Sequence, residues 1–184
     1  VAAGIDVIGD GEMSKPSYAT YIKHRLSGFG GEAGSYEFQD LEEFPGAKAK
    51  VFADAGRARR KAPACTAPIE VKDMEAPRLD AERLNRLAGG RRTFMSAASP
   101  GVTALFFPNR YYASDEEYVF AIAEALRHEY ETIAAAGIEL QLDCPDLAMG
   151  RHVQFTHLPL EEFRKKIAMN VEAMNHALRN IPEE

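Results

Sequence analysis

A helix pattern that runs directly into a strand pattern, in the second half of the chain, most constrains the fold. Ser114 and Glu117 form the S-x-x-E signature of a helix-capping box. Apolar residues then recur at steps of three and four, on one predicted helix face: Val119, Ile122, Leu126, Tyr130 and Ile133. Gly137 suits the left-handed position that follows a helix, and the strand pattern of 138–143 ends on Asp143. The segment predicts a unit of helix, glycine cap, strand and carboxylate.

The same unit recurs at the start of the chain, where "AAGIDVIGD" (2–10) matches "AAGIELQLD" (135–143). By analogy, residues 1–4 are expected to be the tail of a helix that begins earlier. The chain also lacks an initiator methionine, so we expect a fragment of a longer protein.

Strand and helix patterns alternate along the rest of the chain. Strands are predicted at 62–71 and 92–98, with helices at about Leu79–Leu87 and from Leu160 to Leu178 after Pro159. The order β-α-β-α-β-α-β-α predicts four parallel strands covered by helices, with right-handed crossovers. The predicted strands end near Asp10, Asp73, Ser99 and Asp143. Four such units make half of a (β/α)₈ barrel or a small open sheet.

Side-chain alternation favours the barrel. In 138–143 the residues Glu139, Gln141 and Asp143 share one face, opposite three aliphatic side chains. In the opening strand, Asp6, Ile8, Asp10 and Glu12 are predicted to share a face. A strand of an open doubly wound sheet is apolar on both faces, whereas a barrel strand can be polar inside, near its carboxyl end. We therefore predict a single domain over 1–184, a partial TIM barrel with an insertion at 28–60 over its mouth.

Composition excludes several classes of protein. The net charge of −6 argues against a nucleic-acid surface. No apolar run approaches the roughly 20 residues that span a bilayer, so no membrane partner is expected. Two distant cysteines predict reduced thiols and a cytoplasmic protein.

The predicted strand ends carry polar side chains, and in a barrel these ends form the active site. The groups are Asp10, Glu12, Asp73, Ser96, Ser99, Asp143 and Asp146. Any one of them is more often a helix cap, but four strand ends that converge favour a site. Carboxylates in this arrangement suit an amine, another cation or a general base.

These motifs resemble the catalytic barrel of cobalamin-independent methionine synthases, most closely the short single-barrel homologues. The matching stretches are "GIDVIGDGE", "APIEVKD", "SPGVTALFFPNRYY" and "EYETIAAAGIELQLDCPDLA", which cover nearly the whole chain in order. The resemblance implies a zinc-dependent transfer of a methyl group from a folate to the thiol of homocysteine. It implies that Glu12 and Asp143 hold the amino acid acceptor, while Asp146 caps or orients its loop. Ser99, Asp73 and Phe107 complete the predicted substrate-binding set.

Two departures from the family pattern concern the metal and the methyl donor. The family's zinc ligands are a His-x-Cys pair, a Glu and a second Cys on strands after "NIPEE", so no metal ligand is expected in this chain. Cys65 and Cys144 are predicted to be small buried thiols. Phe107 stands where folate-using members present a Trp, and this chain has no Trp. A phenylalanine ring can still stack on a pterin, with less ring area, so both a methylated folate and a different methyl or alkyl donor stay open.

Two other functions remain open. The first is a metal-free decarboxylase of the uroporphyrinogen decarboxylase type, in which Arg91, Arg92 and Arg110 bind substrate carboxylates. The second is a half barrel without activity, which self-associates through its open strand edges. For the isolated chain we expect no zinc and no methyl transfer.

Overall fold

The computed structural model describes residues 4–33, 38–53 and 63–182. The strands are β1 (Val7–Gly9), β2 (Phe29–Gly30), β3 (Ala64–Cys65), β4 (Arg92–Ala98) and β5 (Glu139–Asp143). The helices are α1 (Ile22–Arg25), α2 (Pro45–Ala53), α3 (Glu75–Ala88), α4 (Pro100–Phe106), α5 (Asp115–Ala135), α6 (Asp146–Val153) and α7 (Leu160–Leu178). A 3-10 turn lies at Gln39–Leu41. None of these helices is both long and apolar enough to cross a membrane.

The main sheet has three parallel strands in the order β1-β4-β5. The prediction of a fourth parallel strand at 62–71 is wrong, because β3 is the only strand among the described residues 63–71 and it pairs antiparallel with β2. Pro63 and Pro68 flank β3, and proline lacks the N–H that a central strand must donate.

Side chains, rather than a strand, complete the β1 side of β4. β1 ends level with Phe94, so in the described part of the chain no strand lies beside the upper half of β4 on that side. The Lys15 ammonium donates to the Ser96 carbonyl there, and the Tyr21 hydroxyl accepts from Ala98 N at 3.2 Å. The Ser96 carbonyl and the Ala98 N–H on this side of β4 thus have partners without the predicted strand.

The two faces of the sheet differ. Met95 and Ala97 of β4 belong to a core shared with α3, α5 and α7, and Leu140 and Leu142 of β5 pack against it. On the other face, Ser96 and Gln141 are paired in register, with Ser96 half-buried and Gln141 exposed. A parallel sheet with helices packed on one face and polar groups on the other is consistent with part of a TIM barrel.

The face prediction holds for β5 and is wrong for β1. Ile8 packs against the core and pairs in register with buried Thr93, so it lies on the helix side. The sequence repeat of 2–10 and 135–143 aligns Ile8 with Gln141, which lies on the opposite face of the sheet, the face that carries Ser96 and Gln141 (the open face). β1 ends at Gly9, and the following turn has positive φ at Gly11 and Glu12, which breaks the alternation.

The long helices were predicted correctly. Ser114 caps α5 by accepting from Glu117 N at 3.1 Å, and Gly137 has a φ of 72° just after its end. α7 has the predicted bounds, while α3 starts four residues before Leu79 and ends one residue beyond Leu87. Cys65 is buried as predicted, whereas Cys144 is half-buried. The predicted helix tail at 1–4 lies outside the described residues except for Gly4.

Candidate functional site

The candidate site lies at the carboxyl ends of the three parallel strands. Asp10 and Glu12 follow β1, Ser99 follows β4, and Asp143 is the last residue of β5. Asp73 does not follow a strand of this sheet. Its Oδ1 accepts from Ala76 N at 2.9 Å and Glu75 N at 3.0 Å at the start of α3, and these bonds lower its carboxyl pKa.

The turn after β1 presents Glu12. Its backbone N–H donates to Asp10 Oδ1 at 3.1 Å, and its carbonyl accepts from Lys15 N at 2.9 Å. Among the described residues, Asp10 Oδ2 is a buried oxygen without a hydrogen-bond partner. The Glu12 side chain is half-buried.

A buried cluster ties the end of β4 to α6 and α7. Ser99 is the N-cap of α4, accepting from Val102 N at 3.0 Å, and its hydroxyl donates to Asp146 Oδ1 at 2.8 Å. Asn170 Nδ2 donates to Asp146 Oδ2 at 2.9 Å. Burial raises the pKa of the Asp146 carboxyl, against the lowering effect of these donors. Asp146 thus orients the loop after β5, and the Ser99 hydroxyl is engaged within the protein.

Asp143 ends the open face of β5 and is half-buried. Tyr18, in the segment after β1, lies close enough that burial and the Asp143 charge together raise the pKa of its hydroxyl. The Tyr18 ring packs edge-on against Phe106, with centroids 5.9 Å apart. Sequence reasoning missed Tyr18, whose one signal was its place in the loop that follows a strand end.

Phe107 lies in the core. Its ring is fully buried and packs against Phe29, with centroids 4.4 Å apart. Its carbonyl accepts from the Tyr118 hydroxyl at 2.6 Å. The aromatic ring that the structure exposes beside Asp143 is therefore Tyr18, with an exposed fraction of 36%.

A buried charge cluster lies behind the turn after β1. Arg25 pairs with Asp80 at 2.6 Å, and the Tyr21 hydroxyl donates to Glu129 Oε1 at 2.8 Å. Burial raises the pKa of the Glu129 carboxyl, while Lys15 and Arg25 act in the opposite direction. Because the cluster joins α1, α3 and α5, it fixes the segment that carries Glu12 and Tyr18.

A zinc ion does not fit the residues of the site. Within 4–33, 38–53 and 63–182, no three His, Cys, Asp or Glu side chains come together as a metal-holding group. Burial raises the pKa of both the Cys65 and the Cys144 thiol, so neither is activated as a thiolate.

Two grooves flank the free edges of the main sheet. A cavity of about 670 Å³ runs between β1 and α3, and Asp10 and Asp80 are among its lining residues. A smaller cavity of about 450 Å³ lies beside β5 and the end of α7. Neither cavity is lined by Glu12 or Asp143.

Polar groups at the carboxyl ends of parallel strands are typical of barrel enzymes. No family model matches this chain, and no curated protein matches it. Solved structures do match, among them a B12-independent methionine synthase from Shewanella sp. W3-18-1 in complex with selenomethionine. The TM-score is 0.66 at 16% sequence identity, over 100% of this chain and 46% of that chain. The likeness shows the fold, and the chain spans less than half the length of that structure.

Proposed function

We propose that the protein is a methyltransferase of the methionine synthase type. Such an enzyme transfers a methyl group to the thiol of a homocysteine-like amino acid. In this proposal Glu12 and Asp143 hold the ammonium group of the acceptor. One observation carries it: the open face of β5 ends on Asp143, in the same end of the sheet as the turn that presents Glu12. The fold shared with a methionine synthase supports the choice of reaction class.

The chemistry of the site suits an amino acid ligand. Carboxylates accept strong hydrogen bonds from an ammonium group, and an aromatic ring beside them attracts a cation. Tyr18 supplies such a ring near Asp143, and Phe106 packs against the Tyr18 ring. Zinc would convert the acceptor thiol to a thiolate, but the described residues lack a ligand set for it, so their proposed role is to bind and orient the acceptor. A methylated folate is the proposed donor.

The insertion at 28–60 is proposed to cover the mouth of this site. Its 3-10 turn, Gln39–Leu41, contacts α6, which directly follows the β5 end of the sheet.

The decarboxylase alternative gains no support from Arg91 or Arg92. Arg92 begins β4, at the opposite end of the sheet, and pairs with Glu139 at 2.6 Å. Arg91 precedes it and donates to the Ala88 carbonyl. Neither lies at the carboxyl end, where a substrate carboxylate would need them.

Isothermal titration with L-selenomethionine tests the proposal. Asp143→Asn should weaken binding at least about tenfold, because one hydrogen bond to a charged group is worth about 1.5–3 kcal/mol. Glu139→Gln is the matched control, since Glu139 lies on the same face of the same strand, four residues from Asp143. Its ion pair with Arg92 is exposed, so fold and binding should be unchanged. Equal losses in both variants, or no binding by the wild type, would contradict the proposal.

A further inference from the structure

The turn that carries Glu12 has an unfavourable backbone conformation. Glu12 has a φ of 54° and is the only non-glycine residue with positive φ in the described part of the chain. A side chain at such a position incurs a steric penalty that glycine avoids. Strained residues of this kind persist where the surrounding structure fixes them, and they concentrate at functional sites.

Two residues, Asp10 and Lys15, fix this turn from within the protein. Asp10 Oδ1 accepts from the Glu12 backbone N–H at 3.1 Å. Lys15 N donates to the Glu12 carbonyl at 2.9 Å, and the Lys15 ammonium donates to the Ser96 carbonyl on the central strand β4. The turn is therefore attached to the middle of the sheet.

Lys15 is itself held in place. Its side chain is buried, with 6% exposed, and its ammonium lies 5.1 Å from the centre of the Tyr21 ring. The buried Glu129 carboxylate, which accepts from Tyr21, lies within electrostatic reach. The position of Glu12 thus depends on the protein interior, although the Glu12 side chain itself is half-buried at the site.

We propose that Asp10 and Lys15 are positioning residues, which hold Glu12 in the left-handed conformation so that its carboxylate can bind the ammonium group of an amino acid ligand. This rests on the proposed function. A glycine at position 12 would adopt the same backbone without penalty, as Gly11 does with a φ of 62°. The hydrogen bonds that Asp10 and Lys15 make to Glu12 offset the backbone strain. The need for a carboxylate at this position explains why the residue is glutamate and not glycine.

The first test changes the strain and the carboxylate separately. Glu12→Gly should raise the thermal midpoint by about 2 °C, since it relieves the strain, and should weaken L-selenomethionine binding at least about tenfold. Glu12→Gln keeps the strained backbone, so its midpoint should stay at the wild-type value while binding falls. A midpoint that drops in Glu12→Gly would overturn the proposal.

The second test separates positioning from direct contact. Asp10→Ala removes the acceptor for Glu12 N–H and should weaken binding about tenfold, whereas Asp10→Asn keeps Oδ1 and should stay within about threefold of the wild type. Lys15→Met should also weaken binding, with Lys23→Met, at an exposed position on α1, as the unchanged control. Circular dichroism confirms which variants are folded, and the Asp10 pair decides the outcome if Lys15→Met does not fold.

The two proposals fail in different ways. Wild-type affinity in Asp10→Ala, together with a loss in Asp143→Asn, would overturn the positioning role and leave the proposed function standing. No binding by the wild-type protein would overturn both.

Discussion

Adding a single methyl group at Gly101 should destabilise the protein, although helix propensity predicts the opposite. Gly101 is the second residue of α4, where an alanine would by propensity alone add about 1 kcal/mol of stability. A Cβ atom at this position would lie 2.0 Å from Asp146 Oδ2 and 2.6 Å from Asn170 Nδ2. Carbon and oxygen cannot approach so closely, so the buried Asp146 carboxylate would have to move.

The size of the loss follows from the bonds that Asp146 makes. It accepts from Ser99 Oγ at 2.8 Å and from Asn170 Nδ2 at 2.9 Å, with 3% of its surface exposed. Hydrogen bonds to charged groups are worth about 1.5–3 kcal/mol each, and local relaxation recovers part of that. We expect Gly101→Ala to lower the free energy of unfolding by about 3 kcal/mol, and the thermal midpoint by roughly 6–12 °C for a domain of this size.

Urea unfolding followed by circular dichroism measures this loss. Gly46→Ala is the matched control, because Gly46 also lies in the first turn of a helix and a Cβ there meets nothing within 4 Å. It should be neutral or stabilising by up to about 1 kcal/mol. In an Asp146→Ala background the contact with Oδ2 is removed and Asn170 loses the acceptor that holds its side chain, so Gly101→Ala should cost less there. Wild-type stability in Gly101→Ala, or an equal cost in both backgrounds, would refute the reasoning.

Three further predictions concern the buried cluster, the surface and the metal. Tyr21→Phe should lower the free energy of unfolding by about 2 kcal/mol, because Ala98 N and Glu129 each lose a partner; urea unfolding checks this. Hydrogen bonds from Arg127, together with those from Arg179 and His176, lower the pKa of Glu124 from 4.5 to about 2. The contribution of ionised Glu124 to the free energy of unfolding is therefore present above pH 4.5 and is lost as the pH falls towards 2. Glu124→Gln should flatten the stability profile in that window by less than about 1 kcal/mol, since the group is exposed, and an unchanged profile would contradict this. The purified 184-residue chain should hold far less than one zinc ion per molecule by elemental analysis, and stoichiometric zinc would show that the ligand assignment is wrong.

The sequence predicted best those elements whose own side chains determine their structure. The period of three and four in α5 and α7, the Ser114 cap and Gly137 are local signals, and each appears where it was expected. β4 also has its predicted bounds, because its alternation is long enough to set a register. Local signals of this kind depend on few distant contacts, so one sequence suffices to find them.

The failures arose where distant residues decide the structure. The apolar stretch at 62–71 has the composition of a strand, but Lys15 and Tyr21 already occupy the Ser96 carbonyl and the Ala98 N–H on the β4 edge that it would need. Phe106 and Phe107 are adjacent, and packing against Phe29 decides which ring is fully buried. The carboxylates at the strand ends were predictable from their positions. The contacts of Tyr18 were not, since its loop conformation depends on the buried charge cluster.

The alternation along β4 and β5 separates stability from chemistry. Met95 and Leu142 pack on the helix side, while their neighbours Ser96 and Gln141 project from the opposite side. Substitutions at Ser96 or Gln141 therefore change the surface of the open face without disturbing the packed core one residue away. A lineage of such chains could vary the face where we propose that substrate binds, one residue at a time, and still retain a foldable protein.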